Sequence, residues 1–230
     1  MLKDILQRLR LKAKDPLQIH GYQSYGTDDH LYLLGRALED EGVDLEKTGL
    51  ASVFNNAWHQ FRSDELPNSK IKIRLPDDRV LYTTTDAEGY FKLDQKEPGL
   101  RALTNEQGWL QVELAYDDEN QKRLIKNDNR FSGQMLIPAT TAEYGVISDI
   151  DDTILKTGVT SLLKWRVILN TLFTGVGKRS PFKGASSFYT KLHQGKSGDA
   201  ANPMLYVSNS PWNLYKYLEA FIKQNNFPKG

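Results

Sequence analysis

The chain has no cysteine in its 230 residues, which excludes disulfides and any cysteine-ligated zinc. It has only four histidines. His20, His30, His59 and His193 follow no metal-ligand spacing, so they read as structural or surface residues. No apolar run reaches the roughly 18 residues of a membrane span. Charge of one sign is missing too. Thirty basic against 29 acidic residues leave a net charge of +1, which argues against a nucleic-acid partner while permitting a local basic patch. With 39% hydrophobic and 26% charged residues, the composition is that of a globular protein compatible with a cytoplasmic setting. The N-terminus, MLKDILQRLRLKAK, is no secretory signal, because charges interrupt every apolar stretch. Its Leu2, Ile5, Leu6 and Leu9 follow helical spacing among basic residues, so residues 1–18 read as an amphipathic helix. Such a helix docks on a neighbour or lies at a membrane interface.

Between residues 19 and 141 the pattern is mostly short strands. Leu31 to Leu38 is an apolar run. Lys70 to Leu75 alternates through Ile71 and Ile73, and Pro76-Asp77-Asp78 turns the chain into Val80 to Thr85. Asp86-Ala87-Glu88-Gly89 reads as a second tight turn returning through Tyr90, Phe91 and Leu93. Trp109 to Tyr116 and Phe131 to Ile137 make two more strands, and Gly49 to Phe61 has the apolar stripe of a helix. Strands at this spacing predict a β-sandwich-like domain. From residue 142 to 230 strands alternate with helices, the α/β signature. The apolar stretch Ser161 to Thr174 and the segment Gly184 to His193 read as helices, and Met204 to Val207 as a buried strand. The fold class expected is therefore α+β in two domains, divided near Pro138 to Ala142.

The chemistry concentrates in Val146 to Leu155, VISDIDDTIL. An apolar run followed directly by acids is a buried strand delivering carboxylates to a sheet edge. In extended backbone Asp149, Asp151 and Thr153 would share a face, with Asp152 on the other. Two carboxylates so close repel one another, and a cation or a shared proton resolves the conflict. A solvated surface cluster is the bland alternative. A calcium loop is excluded, since the sixth and twelfth positions hold Ile154 and Thr160. A second segment, Met204 to Leu214, reads MLYVSNSPWNL. Here an apolar strand ends at Ser208, and Ser210-Pro211 suits the start of a helix. A hydroxyl and free N–H groups at a strand end are what a phosphate group needs. An ordinary capped helix would have the same sequence pattern.

The aspartate segment resembles the first signature of the haloacid dehalogenase superfamily. AEYGVISDIDDTI and YVSNSPWNLY, with GRAL and TDAEGYF upstream, resemble more narrowly the actin-patch-type phosphatidate phosphatase family. That likeness runs from about Ile19 to Gly230. It implies a β-rich domain ahead of a haloacid-dehalogenase-like, Rossmann-type α/β domain. It also implies a magnesium-dependent phosphatase working through an aspartyl-phosphate, with phosphatidate as substrate and diacylglycerol as product. Asp149 would be the nucleophile and Asp151 the acid/base. Mg2+ would sit on the Asp149 side chain and the Asp151 backbone carbonyl, and Ser208, with Thr153 and Asn209, would hold the phosphate. Peripheral contact with a membrane is the setting this substrate implies. The basic, aromatic segment Ser161 to Arg179 suits such a contact, and equally suits a helix packed on the core.

Two parts of that superfamily's site, a basic residue and paired acids after a further strand, have no counterpart between Ser208 and Gly230. Lys223 and Lys229 precede no such strand. The chain is therefore expected to be the front portion of a longer protein, with an incomplete catalytic domain, an uncovered edge on the aspartate strand and little activity by itself. A soluble phosphomonoester as substrate, or a binding role for the β-domain beside an inert catalytic half, remain the alternatives.

Overall fold

The structure is a computed structural model. It describes residues 16–39, 66–117, 123–150, 153–154, 182–198, 200–209, 212 and 215–230. The N-terminal segment, the helices expected at 49–61 and 161–174, Ser210, Pro211 and Asp151 lie outside the described residues. The described chain is mostly β-sheet with few helices, an α+β fold, in two compact units. The division falls between Met135 and Leu136, with residues 105–108 joining the second unit. Among the described residues no helix is long and apolar enough to cross a membrane.

The first unit is built on β1 (Leu17–Gly21), β2 (Gln23–Gly26), β3 (His30–Glu39), β4 (Lys70–Arg74), β5 (Val80–Thr84), β6 (Tyr90–Lys96), β7 (Trp109–Tyr116) and β8 (Phe131–Leu136). Alternation decides what each strand buries. Ile71 and Ile73 of β4, Leu110, Val112 and Leu114 of β7, and Leu31 and Leu33 of β3 all face the core. The layering expected of a sandwich takes the form of one hydrogen-bonded path, β1-β3-β2-β8-β7-β4-β5, with β6 paired to β3. β5, at one end of the path, is joined by a tight turn to β6, which lies beside β3. There Asp86 Oδ1 accepts from the backbone N–H of Glu88 and of Tyr90, each at 2.9 Å, and Gly89 takes a φ of 76°. The path therefore curls back on itself around its apolar face. Gly35 of β3 lies opposite Phe91, whose ring occupies the space a Cβ would need.

β1 and β2 are strands that the sequence pattern does not announce. They form one edge along β3, interrupted at Tyr22. Leu17 pairs with Glu39 and Gly21 with Gly35, but Tyr25 pairs with Tyr32 and Gly26 with Leu31. The pairing sum rises by one across Tyr22, the mark of a β-bulge. The buried set changes phase there, from Leu17 and Ile19 to Tyr22 and Ser24.

The second unit contains β9 (Val146–Asp149) and β10 (Met204–Val207), with two helices, α1 (Ala185–Gln194) and α2 (Tyr215–Gln224). β9 and β10 are parallel. Ile150, Ile154, Tyr189, Met204, Leu218, Phe221 and Phe227 make one core, with Val146 and Tyr206 packed against it. Both helices therefore contribute to the same face of the strand pair. Ile147, Leu205 and Val207 alternate to the other face and are exposed.

Candidate active site

The strand register brings the two sequence signatures together. Val207 stands opposite Asp149, and the Ile150 N–H donates to Val207 O at 3.0 Å. Asp149 ends β9 as β10 ends one residue before Ser208, so carboxylate and hydroxyl occupy the carboxyl ends of neighbouring parallel strands. In open α/β sheets that end is where ligands bind. Asp149 and Asn209 are exposed and Ser208 is half-buried, so solvent reaches this end.

One part of the sequence argument does not survive. The alternation of Asp149, Asp151 and Thr153 assumed extended backbone through Thr153. The strand stops at Asp149, and the Ile154 N–H donates to Ile150 O at 3.1 Å, which closes a helical turn. The turn is driven by burial, since Ile150 and Ile154, four apart, both enter the core. Thr153 is exposed on that turn rather than aligned with Asp149 along a strand. Asp151 falls outside the described residues.

The strand end is fixed from behind by a buried hydroxyl pair. Ser148 Oγ donates to Asp149 O at 2.9 Å and lies 2.6 Å from the Tyr189 hydroxyl, so the tyrosine supplies the second proton. Tyr189 itself packs edge-on against Phe227 at 5.4 Å and stacks with Tyr206 at 6.4 Å. Tyr206 donates to Pro228 O at 2.8 Å, and burial pushes its phenol well above the usual tyrosine range.

Sequence reasoning missed Asn202. It is fully buried. Its Oδ1 accepts from the N–H of Glu143 at 2.8 Å and of Tyr144 at 3.3 Å, while its Nδ2 donates to Leu192 O at 3.0 Å. Its backbone N–H donates to His193 O at 2.9 Å, and its carbonyl accepts from His193 Nδ1 at 2.8 Å. One side chain thus ties the lead-in of β9 to the end of α1 and the start of β10. Its only sequence signal is an asparagine between a polar loop and an apolar strand.

Other residues singled out in the sequence fare differently. Trp212 is 50% exposed, with its ring 6.4 Å from that of Tyr215. Pro228 and Gly230 lie against Tyr206, and Gly230 also approaches Met204 O. That is the amino end of β10, opposite to Ser208, and Lys229 sits between them. Partial burial depresses the Lys229 ammonium, and Glu219 opposes the shift. Among the described residues no three His, Asp or Glu side chains converge on a metal position. The described part of the first unit has an open groove of about 470 Å3. Its arginines face carboxylates, Arg74 with Asp78 at 3.9 Å and Arg130 with Glu113 at 3.8 Å.

An acid-ended strand paired in parallel with a hydroxyl-ended one is a layout suited to phosphate-ester chemistry, and comparison with known proteins narrows the class. Residues 144–230 match the family described as phosphatidate phosphatase APP1, catalytic domain. The chain is similar to the phosphatidate phosphatase APP1 of Saccharomyces cerevisiae, at 27% identity over 185 residues, or 77% of this chain. The chain spans 28% of the length of that relative. Among solved structures, a CARDB domain from Pyrococcus furiosus aligns over 55% of this chain and 90% of its own, at 12% identity and a TM-score of 0.27.

Proposed function

We propose that residues 142–230 belong to a haloacid-dehalogenase-like phosphatase domain that hydrolyses phosphatidate to diacylglycerol through an aspartyl-phosphate on Asp149. The observation that supports this reading is the parallel pairing of Val207 with Asp149, so that the strand ending in the carboxylate neighbours the one leading into Ser208. The Asp149 carboxylate attacks the phosphorus in line and displaces the diacylglycerol oxygen. Asp151 gives that oxygen its proton and then takes one from the water that cleaves the acyl phosphate. Ser208, with Asn209 and Thr153, donates hydrogen bonds to the phosphate oxygens.

An exposed carboxylate at a solvent-reached strand end fits Mg2+, which uses one or two carboxylates and keeps several waters. Asp149 and the Asp151 carbonyl would hold it. Bound there, the ion offsets the repulsion of several kcal/mol between a carboxylate and a phosphate dianion.

The test is an assay of the purified protein. Phosphate release from phosphatidate and from a soluble phosphomonoester is measured with and without Mg2+. Magnesium-dependent release that Asp149→Asn lowers by at least about 10^3-fold agrees with the nucleophile. Undiminished release by that variant removes it, and preference for the soluble ester removes the lipid.

A further inference from the structure

The first unit carries a surface that the phosphatase reading does not use. On β3 the inward positions include Leu31 and Leu33, so His30, Tyr32 and Leu34 alternate outward, while Arg36 is buried. Their partners on β6 are Lys96, Asp94, Lys92 and Tyr90. On β4 and β5 the inward pairs Ile71–Thr83 and Ile73–Leu81 leave Lys70, Lys72, Arg74 and Tyr82 outward. The two strand pairs meet where Thr83 Oγ1 donates to Lys92 O at 2.8 Å. Outward positions of the four strands thus present Lys70, Lys72, Arg74, Lys92 and Lys96 against one carboxylate, Asp94.

The aromatic rings of this face are tied to its cations. Lys70 Nζ lies 4.4 Å from the centroid of the Tyr82 ring, the Arg36 guanidinium 4.5 Å from Tyr90, and Lys92 Nζ 5.8 Å from Tyr32. Tyr32 in turn stacks on Tyr25 of β2 at 4.8 Å. Ring faces engaged by the protein's own cations and by each other have lost much of the π-surface on which a base could stack. What the surface offers outward is ammonium groups on apolar stems, with phenol edges between them. Tyr25 is 53% and Tyr82 48% exposed. Lysines and tyrosines of this kind settle where an anionic headgroup layer covers an apolar interior.

The charge is only partly compensated within the protein. Lys70 pairs with Asp117 at 2.7 Å and Arg74 with Asp78 at 3.9 Å. Asp94 is shared by His30 at 2.8 Å and Lys92 at 3.6 Å. Among the described residues Lys72 and Lys96 make no ion pair, although Thr27 and, more weakly, Lys96 lower the pKa of the Asp29 carboxyl.

We propose that the outer face of β4, β5, β6 and β3, with Tyr25, is a docking surface for an anionic phospholipid bilayer. Docking is read without turnover, so its failure and that of the phosphatase reading are separable. The probe is cosedimentation of the 230-residue chain with phosphatidylcholine vesicles, with or without phosphatidylserine. Each lysine at an anionic surface is worth roughly fivefold in partition. The triple variant Lys72→Gln, Lys92→Gln, Lys96→Gln is therefore expected to bind the anionic vesicles about 100-fold more weakly, with its circular dichroism unchanged. Replacing the same three lysines by arginine is expected to retain binding. Lack of binding by the unmodified chain, equal binding to neutral vesicles, or an unaffected triple variant overturns the proposal. So does a loss confined to a variant neutralised at Lys3, Arg8, Arg10, Lys12 and Lys14, or tighter binding to a single-stranded oligonucleotide than to the vesicles.

Discussion

The hydroxyls of Ser148 and Tyr189 meet at 2.6 Å inside the second unit, on the side of β9 away from solvent. Through Ser148 they hold the carbonyl of Asp149. Removing one partner strands the other, whereas removing both leaves only apolar contact. Ser148→Ala is expected to destabilise the second unit by about 1–3 kcal/mol. Adding Tyr189→Phe to it is expected to cost much less than Tyr189→Phe alone. Urea titrations of the four proteins in a double-mutant cycle give the coupling, and additive effects would mean the two hydroxyls act independently.

Asn202→Ala frees two N–H groups and a carbonyl, with a cost of about 2–4 kcal/mol for such buried polar atoms. Asn202→Asp keeps the acceptor for Glu143 and Tyr144 but loses the donor to Leu192 O, so it should fall between. Hydrogen exchange at Glu143 and Tyr144 reads the first loss directly, and unchanged protection would count against it.

Ser208→Ala removes a hydroxyl from the strand end while leaving Asp149 in place. A loss of phosphate binding is expected, about 10-fold to 100-fold in kcat/KM, a deletion worth about 1.5–3 kcal/mol for a hydrogen bond to a charged group. Steady-state kinetics beside Asp149→Asn separate the two roles, since only the aspartate variant should lose the covalent phosphate.

Alkaline stability should depend on Tyr22. Burial raises its phenol far above the ordinary 10.0, helped by Tyr90 and opposed by Arg36. The folded state therefore keeps the proton that the unfolded chain gives up above about pH 10. Stability contributed this way is intact below that pH and declines as pH rises further. Tyr22→Phe removes one such group, and the slope of unfolding free energy against pH should become shallower by about 1.4 kcal/mol per unit. Denaturant midpoints between about pH 8 and pH 11 measure the slope, and identical slopes in both proteins would exclude the effect.

Where the sequence alternates cleanly, the strands were legible in it. β4, β5, β7 and β8 lie where Ile71, Ile73, Val80, Val112 and Phe131 announce them, since half-buried strands write their burial directly into the pattern. β1 and β2 were hidden because the bulge at Tyr22 moves the buried set from odd to even positions. In the second unit, the positions of Asp149 at the end of a strand and of Ser208 just after one were legible from composition and order. Thr153 could not be oriented, because the Ile150 to Ile154 turn replaces the extended backbone on which period-two reasoning depends. Asn202 escaped for a different reason. Its importance lies in three partners distant in sequence, and no local pattern records those.

The parallel register of β9 and β10 also sets an order of events in folding. Turns join β4 to β5 and β5 to β6, and hairpins of that kind close in about 1–10 μs. Asp149 and Val207 face each other across a long intervening stretch of chain, whose closure entropy precedes any reward from the pairing. The carboxylate and the hydroxyl therefore become neighbours later than a hairpin such as β4–β5 closes. A ribosome-bound chain that has not yet released Val207 carries the aspartate strand without the strand that pairs with it.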